Sequence, residues 1–307
     1  MSISDTIVII LTIALILGAT YIAYHELNSK SIEYKEFTAN ITHNLPNQSN
    51  QFYPNMRFQH KEIPFSIADD CNELKNQEII QALLTIQSKT PIIFYKSYYS
   101  GISFVCSGNA SEFGSGDSEN EVVAGAAKPE DILNLTNLYI IQKASVTLLR
   151  PEKCQTPQVV IHETLHALGF DHSSDENSIL YPITNCKQKI DPAIFEELNR
   201  LYSIPENPDL VIEKIEANKT GKYLNLKVNV ANYGLSTATN ITLEISSNKK
   251  LIKSYNFDQI DIGKRTQLTL ENLRTVDSES INFQLKMAQQ DLNEENNYAQ
   301  VLSLGQV

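Results

Sequence analysis

Residues 162–182 read H-E-T-L-H-A-L-G-F-D-H-S-S-D-E-N-S-I-L-Y-P, and three of the chain's six histidines fall within the first eleven positions of that stretch. His162 and His166 stand four apart, so on a helix they lie one turn above each other on one face and offer imidazole nitrogens to a single metal ion. Gly169 lets the chain leave the helix with positive φ, which a residue with a β-carbon resists, and turns the following residues back towards the metal. His172 then becomes the third ligand. Three protein ligands leave a fourth position for water or substrate, the arrangement of a catalytic zinc and not of a closed structural one. Glu163, beside the first ligand, is placed to take a proton from water that zinc has acidified towards neutrality. A bare H-E-x-x-H arises by chance on helices; the glycine, the third histidine and the turn that follows give this one its meaning.

Outward from this stretch, 307 residues allow about two domains. A hydrophobic fraction of 42% favours cored structure, and a net charge of −11 with a pI near 5.1 argues against nucleic acid as a partner, since a polyanion is bound by a basic surface. Residues 6–24 form an uncharged, largely apolar run long enough to cross a hydrocarbon core. Asp5 is the only ionisable side chain before it and no A-x-A site follows, so an uncleaved anchor is preferred to a signal peptide, whose removal would give a secreted chain. Lys30 and Lys35, counted strictly by the positive-inside rule, would place the downstream flank in the cytoplasm.

The cysteines and sequons point the other way. Cys71, Cys106, Cys154 and Cys186 are even in number and carry no C-x-x-C pair, which in an exported chain indicates two disulfides; sequence permits three pairings. Cys154 precedes the histidine helix and Cys186 follows the turn, which favours 154 with 186 and 71 with 106. Reduced, buried cysteines in a cytosol-facing protein are the alternative. Sequons at Asn40, Asn47, Asn109, Asn134, Asn218 and Asn240 fit the extracytoplasmic side.

Residues 25–51 are polar and short of periodic apolar positions, and read as a stalk. From 52 to 204 the pattern is that of an α+β domain. Ile63 to Ile67 suggests a strand, and Asp70 or Asn72 caps a helix bearing Ile79, Ile80, Leu83, Leu84 and Ile86. Segments 91–95, 102–106, 138–142 and 145–149 read as strands, and Asp191 caps a helix through Tyr202 that should pack beneath the histidine helix. The stretch 109–129, with Gly114, Gly116, Asp117, Glu119 and Glu121, reads as an acidic loop. Residues 205–208, P-E-N-P, break the pattern as a linker. From 209 to 305, alternating runs such as Leu224, Leu226, Val228 and Val230, then Ile241, Leu243 and Ile245, then Ile281, Phe283 and Leu285, indicate an all-β immunoglobulin-like sandwich.

The pattern H-E-x-x-H-x-x-G-x-x-H followed by a tight turn resembles the metzincin signature, and Ser173 with S-I-L-Y-P at 178–182 is most similar to the matrixin branch. The resemblance implies a zincin-type α+β catalytic domain, zinc held by His162, His166 and His172, Glu163 as general base, and a protein or peptide substrate paired to a strand edge near the site. It also implies a structural role for Tyr181. The chain departs from the family at Leu180, where the Met-turn carries methionine, and at Thr184, where the wall of the pocket beyond the scissile bond carries tyrosine. Leucine fills a similar volume, so altered packing is expected and not a dead site. Matrixins bind calcium in loops comparable to 109–129, and Ca2+ stays open as a second cofactor although the spacing matches no defined ligand pattern. A second, structural zinc lacks ligands, because His25, His43 and His60 all precede the region where they would lie. The stalk holds no cysteine to act as a latency switch, which leaves Cys71 or Cys106 for that role only if unpaired.

P-D-L-V-I at 208–212, V-A-N-Y-G at 230–234 and N-E-E-N-N at 293–297 resemble the CARDB type of cell-adhesion-related module. That resemblance implies binding or spacing, with a cell-surface ligand as a further partner. The expected whole is a single-pass protein of the cell membrane, anchored through 6–24 and otherwise extracytoplasmic, that hydrolyses peptide bonds. The competing readings are a surface adhesion protein with a non-catalytic metzincin domain and, further off, a zinc amidase.

Overall fold

The computed structural model describes residues 3–27, 31–39, 50–99, 101–106, 124–136, 138–150, 154–275 and 279–303. The chain opens with α1 (Ile3–Leu27), whose 25 residues span about 37 Å at 1.5 Å per residue. Its window Ile7–Tyr24 has a mean hydropathy of 2.4 and none of it is buried against protein. Length and composition suffice to cross a membrane. Two short strands follow, β1 (Ser31–Glu33) and β2 (Phe37–Thr38).

The chain divides into two units, one of residues 41–207 with 233–236, the other of residues 1–40, 208–232 and 237–307. In the first, β3 (Met56–Phe58), β4 (Glu62–Ile67), α2 (Glu73–Gln87), β5 (Ile93–Lys96), β6 (Ile102–Val105), β7 (Gly125–Asn134) and β8 (Tyr139–Leu148) precede α3 (Gln158–Ala167) and α4 (Pro192–Ser203). β5, β4, β6 and β8 lie side by side in parallel, and β3 continues the same edge of β8 at Tyr139 to Ile141. β7 runs antiparallel along the opposite edge of β8 and has no second strand partner among the described residues. Asn72 is the cap of α2, accepting from Lys75 N at 2.9 Å, and the helix turns Ile79, Ala82, Leu83 and Ile86 into the core.

Three expectations change here. The segments 138–142 and 145–149 are one strand, β8; opposite Lys143 the β7 register shifts around Asp131, so the inward face changes phase where the sequence alternation breaks. The end of the region read as an acidic loop belongs to β7, while residues 107–123, with the calcium reading attached to them, lie outside the described residues. The helix from Asp191 exists, but its principal packing is on β3: the buried Arg57 guanidinium donates to Leu201 O and stacks 4.4 Å over the Tyr202 ring, whose hydroxyl accepts from Phe58 N.

The disulfides are Cys71–Cys106 and Cys154–Cys186. No free cysteine remains, so neither Cys71 nor Cys106 can serve as a latency thiol.

The second unit is a sandwich of antiparallel sheets. β9 (Leu210–Thr220), β10 (Tyr223–Asn232) and β13 (Arg265–Arg274) form one layer; β12 (Lys250–Ile260), β11 (Ala238–Ser247), β14 (Ser280–Lys286) and β15 (Tyr298–Leu302) form the other. The alternating residues read from the sequence meet in one core, including Val228, Val230, Leu243, Ile245, Phe283 and Leu285. The stretch read as a stalk does not stand apart from it. β1 and β2 pair with β9 through Ser31–Thr220 and Phe37–Ile215, and Tyr34 is buried in the sandwich core. Strands of two or three residues carry too little alternation to be seen as a pattern, which is why their polar setting dominated. The sandwich therefore takes strands from before and after the first unit, with residues 41–207 set between β2 and β9. Residues 28–30 and 40–49, with His43 and the sequons at Asn40 and Asn47, lie outside the described residues, as do the sequon at Asn109 and the side chain of His25.

Candidate active site

α3 is buried along its whole length, from Gln158 to Ala167. Such a helix positions its side chains rigidly, because every face is packed. It ends as the sequence requires. Gly169 adopts φ 97°, Gly169 N donates to His166 O, and Phe170 N donates to Leu165 O. A β-carbon at Gly169 would also strike Met56, whose Cγ and Sδ would lie 2.7 Å away. Residues 50–52 hold the turn from outside the helix: Phe52 N donates to Gly169 O and Asp171 N to Asn50 O.

The turn brings the three histidines together. His166 Nε2 lies 2.9 Å from His162 Nε2 and 3.2 Å from His172 Nε2. Four-coordinate zinc at about 2.0–2.1 Å from each nitrogen would set its imidazole nitrogens about 3.3 Å apart, so the triad fits such an ion. The other nitrogens of two rings are committed to backbone carbonyls, His162 Nδ1 to Ile179 O at 2.6 Å and His166 Nδ1 to Phe170 O at 2.7 Å. Donation from Nδ1 fixes the tautomer that leaves the Nε2 lone pair facing inward. Burial, and secondarily the charge of His166, push His162 down to about 3; burial also lowers His166. Both are neutral at physiological pH, the form that ligates metal.

The segment after the third histidine is held by backbone hydrogen bonds and by the Ser178 hydroxyl. Ser173 N donates to Leu180 O at 2.9 Å, Ile179 N donates to Lys189 O at 2.7 Å, and Ser178 Oγ donates to Asp191. Leu180 is buried in the core of the unit, and Cys186 and Cys154 join the far end of this segment to the approach to α3.

Glu163 is the most unusual carboxyl here. It is 6% exposed, and burial alone raises it to about 8. Its side chain lies against the first residue of β7: a β-carbon on Gly125 would stand 2.8 Å from Glu163 Cγ and 3.0 Å from Oε1.

Residues 57–202 match the matrixin family model. The matrixin-like stretch begins at β3 and ends within α4, so it takes in all four residues singled out from the sequence. It also contains Gly125, which sequence reasoning missed because Ala-Gly-Ala-Ala at 124–127 carries no chemistry of its own. Phe52, whose ring centroid lies 5.8 Å from that of His166, and Met56 were missed because their roles depend on contacts across more than a hundred residues. Asp70, Cys71 and Cys106 also cluster, but both sulfurs are spent in a disulfide. His60 pairs with Glu206 at 2.6 Å, away from the triad.

Among solved structures, the chain is similar to the CARDB domain of a Pyrococcus furiosus protein, crystallised with di-metal ions. That likeness has 24% identity, covers 32% of this chain and 89% of that one, and has a TM-score of 0.28. The solution structure of the same domain gives 24% identity, 32% and 96% coverage, and a TM-score of 0.29. A domain ascribed to a Methanosarcina acetivorans cell surface protein gives 14% identity, 32% and 91% coverage, and 0.28. No curated protein sequence matches the chain.

Proposed function

We propose that this chain is a membrane-anchored zinc endopeptidase working on the extracytoplasmic side. The observation that carries the reading is the convergence of the His162, His166 and His172 Nε2 atoms with two of the opposite nitrogens tied to backbone carbonyls. A zinc ion held there supplies a Lewis acid for the substrate carbonyl and makes water nucleophilic near neutral pH. His162 and His166 contribute neutral, oriented lone pairs. Burial raises Glu163, and the positive charge of an ion at the histidines would lower it again, so that Glu163, next to the first ligand and shielded from solvent, would accept the proton from the attacking water and pass it to the departing amine. Among the described residues the outer edge of β7, beside Glu163, has no strand partner, so an extended peptide can pair with its backbone while the scissile bond lies over the site. That geometry favours polypeptide over small amides.

The apolar, exposed length of α1 supports membrane anchorage, and the two disulfides support the oxidising side. The sandwich, tied to α1 through β1 and β2, is assigned a spacing or cell-surface-binding role.

The test is digestion of a mixed peptide library by the full chain in detergent micelles, beside Glu163→Ala and His166→Ala, with bound zinc measured in each. Zinc-dependent cleavage by the parent, lost in Glu163→Ala with zinc retained and lost with zinc in His166→Ala, is expected. Undiminished turnover by Glu163→Ala would overturn the mechanism, and bound zinc without cleavage in any form would favour a non-catalytic surface protein.

A further inference from the structure

After the third histidine the chain runs through a closed loop whose two ends meet beside His162. Ile179 N donates to Lys189 O at 2.7 Å and Lys189 N donates to Asn177 O at 3.0 Å, so residues 179 and 189 form its neck. That neck is tied to the triad: Ile179 O is the partner of His162 Nδ1, and Leu180 O accepts from Ser173 N, next to His172. Residues 181–184 are the first to leave it, and Ile183 is 54% exposed there. They border any substrate held at the metal site, so the course of the loop bears on which side chains fit.

One buried side chain fills the loop from inside. Gln188 is 4% exposed. Its Nε2 donates to Ile183 O at 2.9 Å and reaches Glu176 O at 3.3 Å, and its Oε1 accepts from Asn185 N at 2.9 Å. Carbonyls at one end and an N–H at the other fix which end is which. Gln158, buried in the first turn of α3, holds the backbone behind that amide: its Nε2 lies 3.2 Å from Gln188 O and 3.4 Å from Cys186 O. The Cys154–Cys186 disulfide grips the loop at a single residue and leaves 181–185 to the Gln188 amide. The hydrogen bonds of the neck run from backbone to backbone and do not include it.

We propose that Gln188 is a positioning residue for substrate selection, an inference that rests on the peptidase reading. Its carboxamide sets the course of residues 181–185, Gln158 holds it in place from α3, and the loop so shaped selects the side chain accepted next to the scissile bond. Removing the amide takes the partner from Ile183 O, Glu176 O and Asn185 N, and a polar backbone group left buried and unpaired costs more than its hydrogen bond contributes. Ile183 and Asn185 belong to an exposed stretch. The loop therefore answers by turning those groups out to water and changing shape, while the neck and the zinc ligands stay.

The experiment compares the full, zinc-loaded chain with Gln188→Met, close in volume but without the amide, in detergent micelles. A peptide library varied on both sides of the scissile bond is digested, and bound zinc and hydrogen exchange of the segment 181–188 are measured on the same samples. Zinc should stay at the parent stoichiometry. Lost positioning of a substrate side chain shows in KM, so kcat on the best substrates should stay within about threefold of the parent. Discrimination at one position next to the scissile bond should fall by about tenfold, the size of preference that a methylene-scale change of a pocket gives. Exchange in 181–188 should quicken by about tenfold as the loop opens. Gln158→Met, which keeps the Gln188 amide but frees the backbone behind it, should shift the same position in the same direction and carries the test if Gln188→Met does not fold. Unchanged preference, or unchanged exchange in 181–188, in a folded variant of a cleaving parent would overturn the proposal. So would a change of preference that comes with loss of zinc, since the glutamine would then act on the metal site. A parent that binds zinc and cleaves no peptide would instead sink the peptidase reading, and the selection role with it.

Discussion

Gly125 and Glu163 occupy adjoining space: a β-carbon on the glycine would stand 2.8 Å from Cγ of the glutamate. The first residue of the edge strand thus shapes the pocket of the proposed general base. Gly125→Ala forces either the carboxylate or the strand aside while leaving the histidines alone. General acid–base catalysis contributes roughly a hundred- to ten-thousandfold, so a displaced base should cost about tenfold or more in kcat. Bound zinc should remain at the parent stoichiometry. Steady-state cleavage with metal analysis on the same sample checks this, and a fully active Gly125→Ala would separate the glycine from the base.

The departure at Leu180 is expected to be mild. Its turn is held by Ser173 N to Leu180 O and by Ile179 O to His162, neither of which involves the side chain. Leu180→Met should therefore change stability by less than about 1.5 kcal/mol, as volume-conserving core exchanges do. Met56 should matter more. It is fully buried against Gly169, and Met56→Ala opens a cavity beneath the ligand turn at a cost of about 2–5 kcal/mol. Urea denaturation of the zinc-free protein and zinc affinity, measured on both variants, compare the two sites. A Leu180→Met loss as large as that of Met56→Ala would mean the turn depends on its side chain after all.

The triad was legible because helical spacing and a positive-φ glycine are local rules: His162, His166, Gly169 and His172 lie within eleven residues. The sandwich strands bearing Leu224 to Val230 and Ile281 to Leu285 were legible because alternation repeats enough times to show. What escaped was long-range. Gly125 matters for a side chain 38 positions later in the chain, and Met56 for a turn more than a hundred positions away. Tyr34 belongs to a fold whose other strands begin at Leu210. No period or spacing encodes such contacts; only register and packing reveal them.

The pairing of β1 and β2 with β9 makes the segment after α1 part of the sandwich core. Tyr34 is 5% exposed, its amide donates to Ala217 O, and Lys35 N donates to Leu302 O. Tyr34→Ala removes an aromatic side chain from that core and should lower sandwich stability by about 3 kcal/mol, in the range of large-to-small aromatic truncations. In calorimetry of the full chain the transition that does not respond to zinc should move down, while the zinc-dependent one stays. An unmoved zinc-independent transition would return residues 31–38 to the role of a loose stalk.

Burial, with Asp291 beside it, pushes the Asp209 carboxyl up to about 6 from an ordinary 3.8. The sign follows from linkage: a carboxyl raised in the folded state binds its proton more tightly there than in the unfolded chain. Its contribution is fully present below about pH 3.8 and is lost as pH rises through about 6. The sandwich should therefore lose on the order of 1 kcal/mol between pH 5 and pH 7 through this carboxyl. Asp209→Asn should flatten that part of the profile, since an amide does not titrate. Chemical denaturation at pH 5, 6 and 7 for the parent and Asp209→Asn makes the comparison. A parent whose profile matches that of Asp209→Asn would show that Asp209 does not hold a proton in this window.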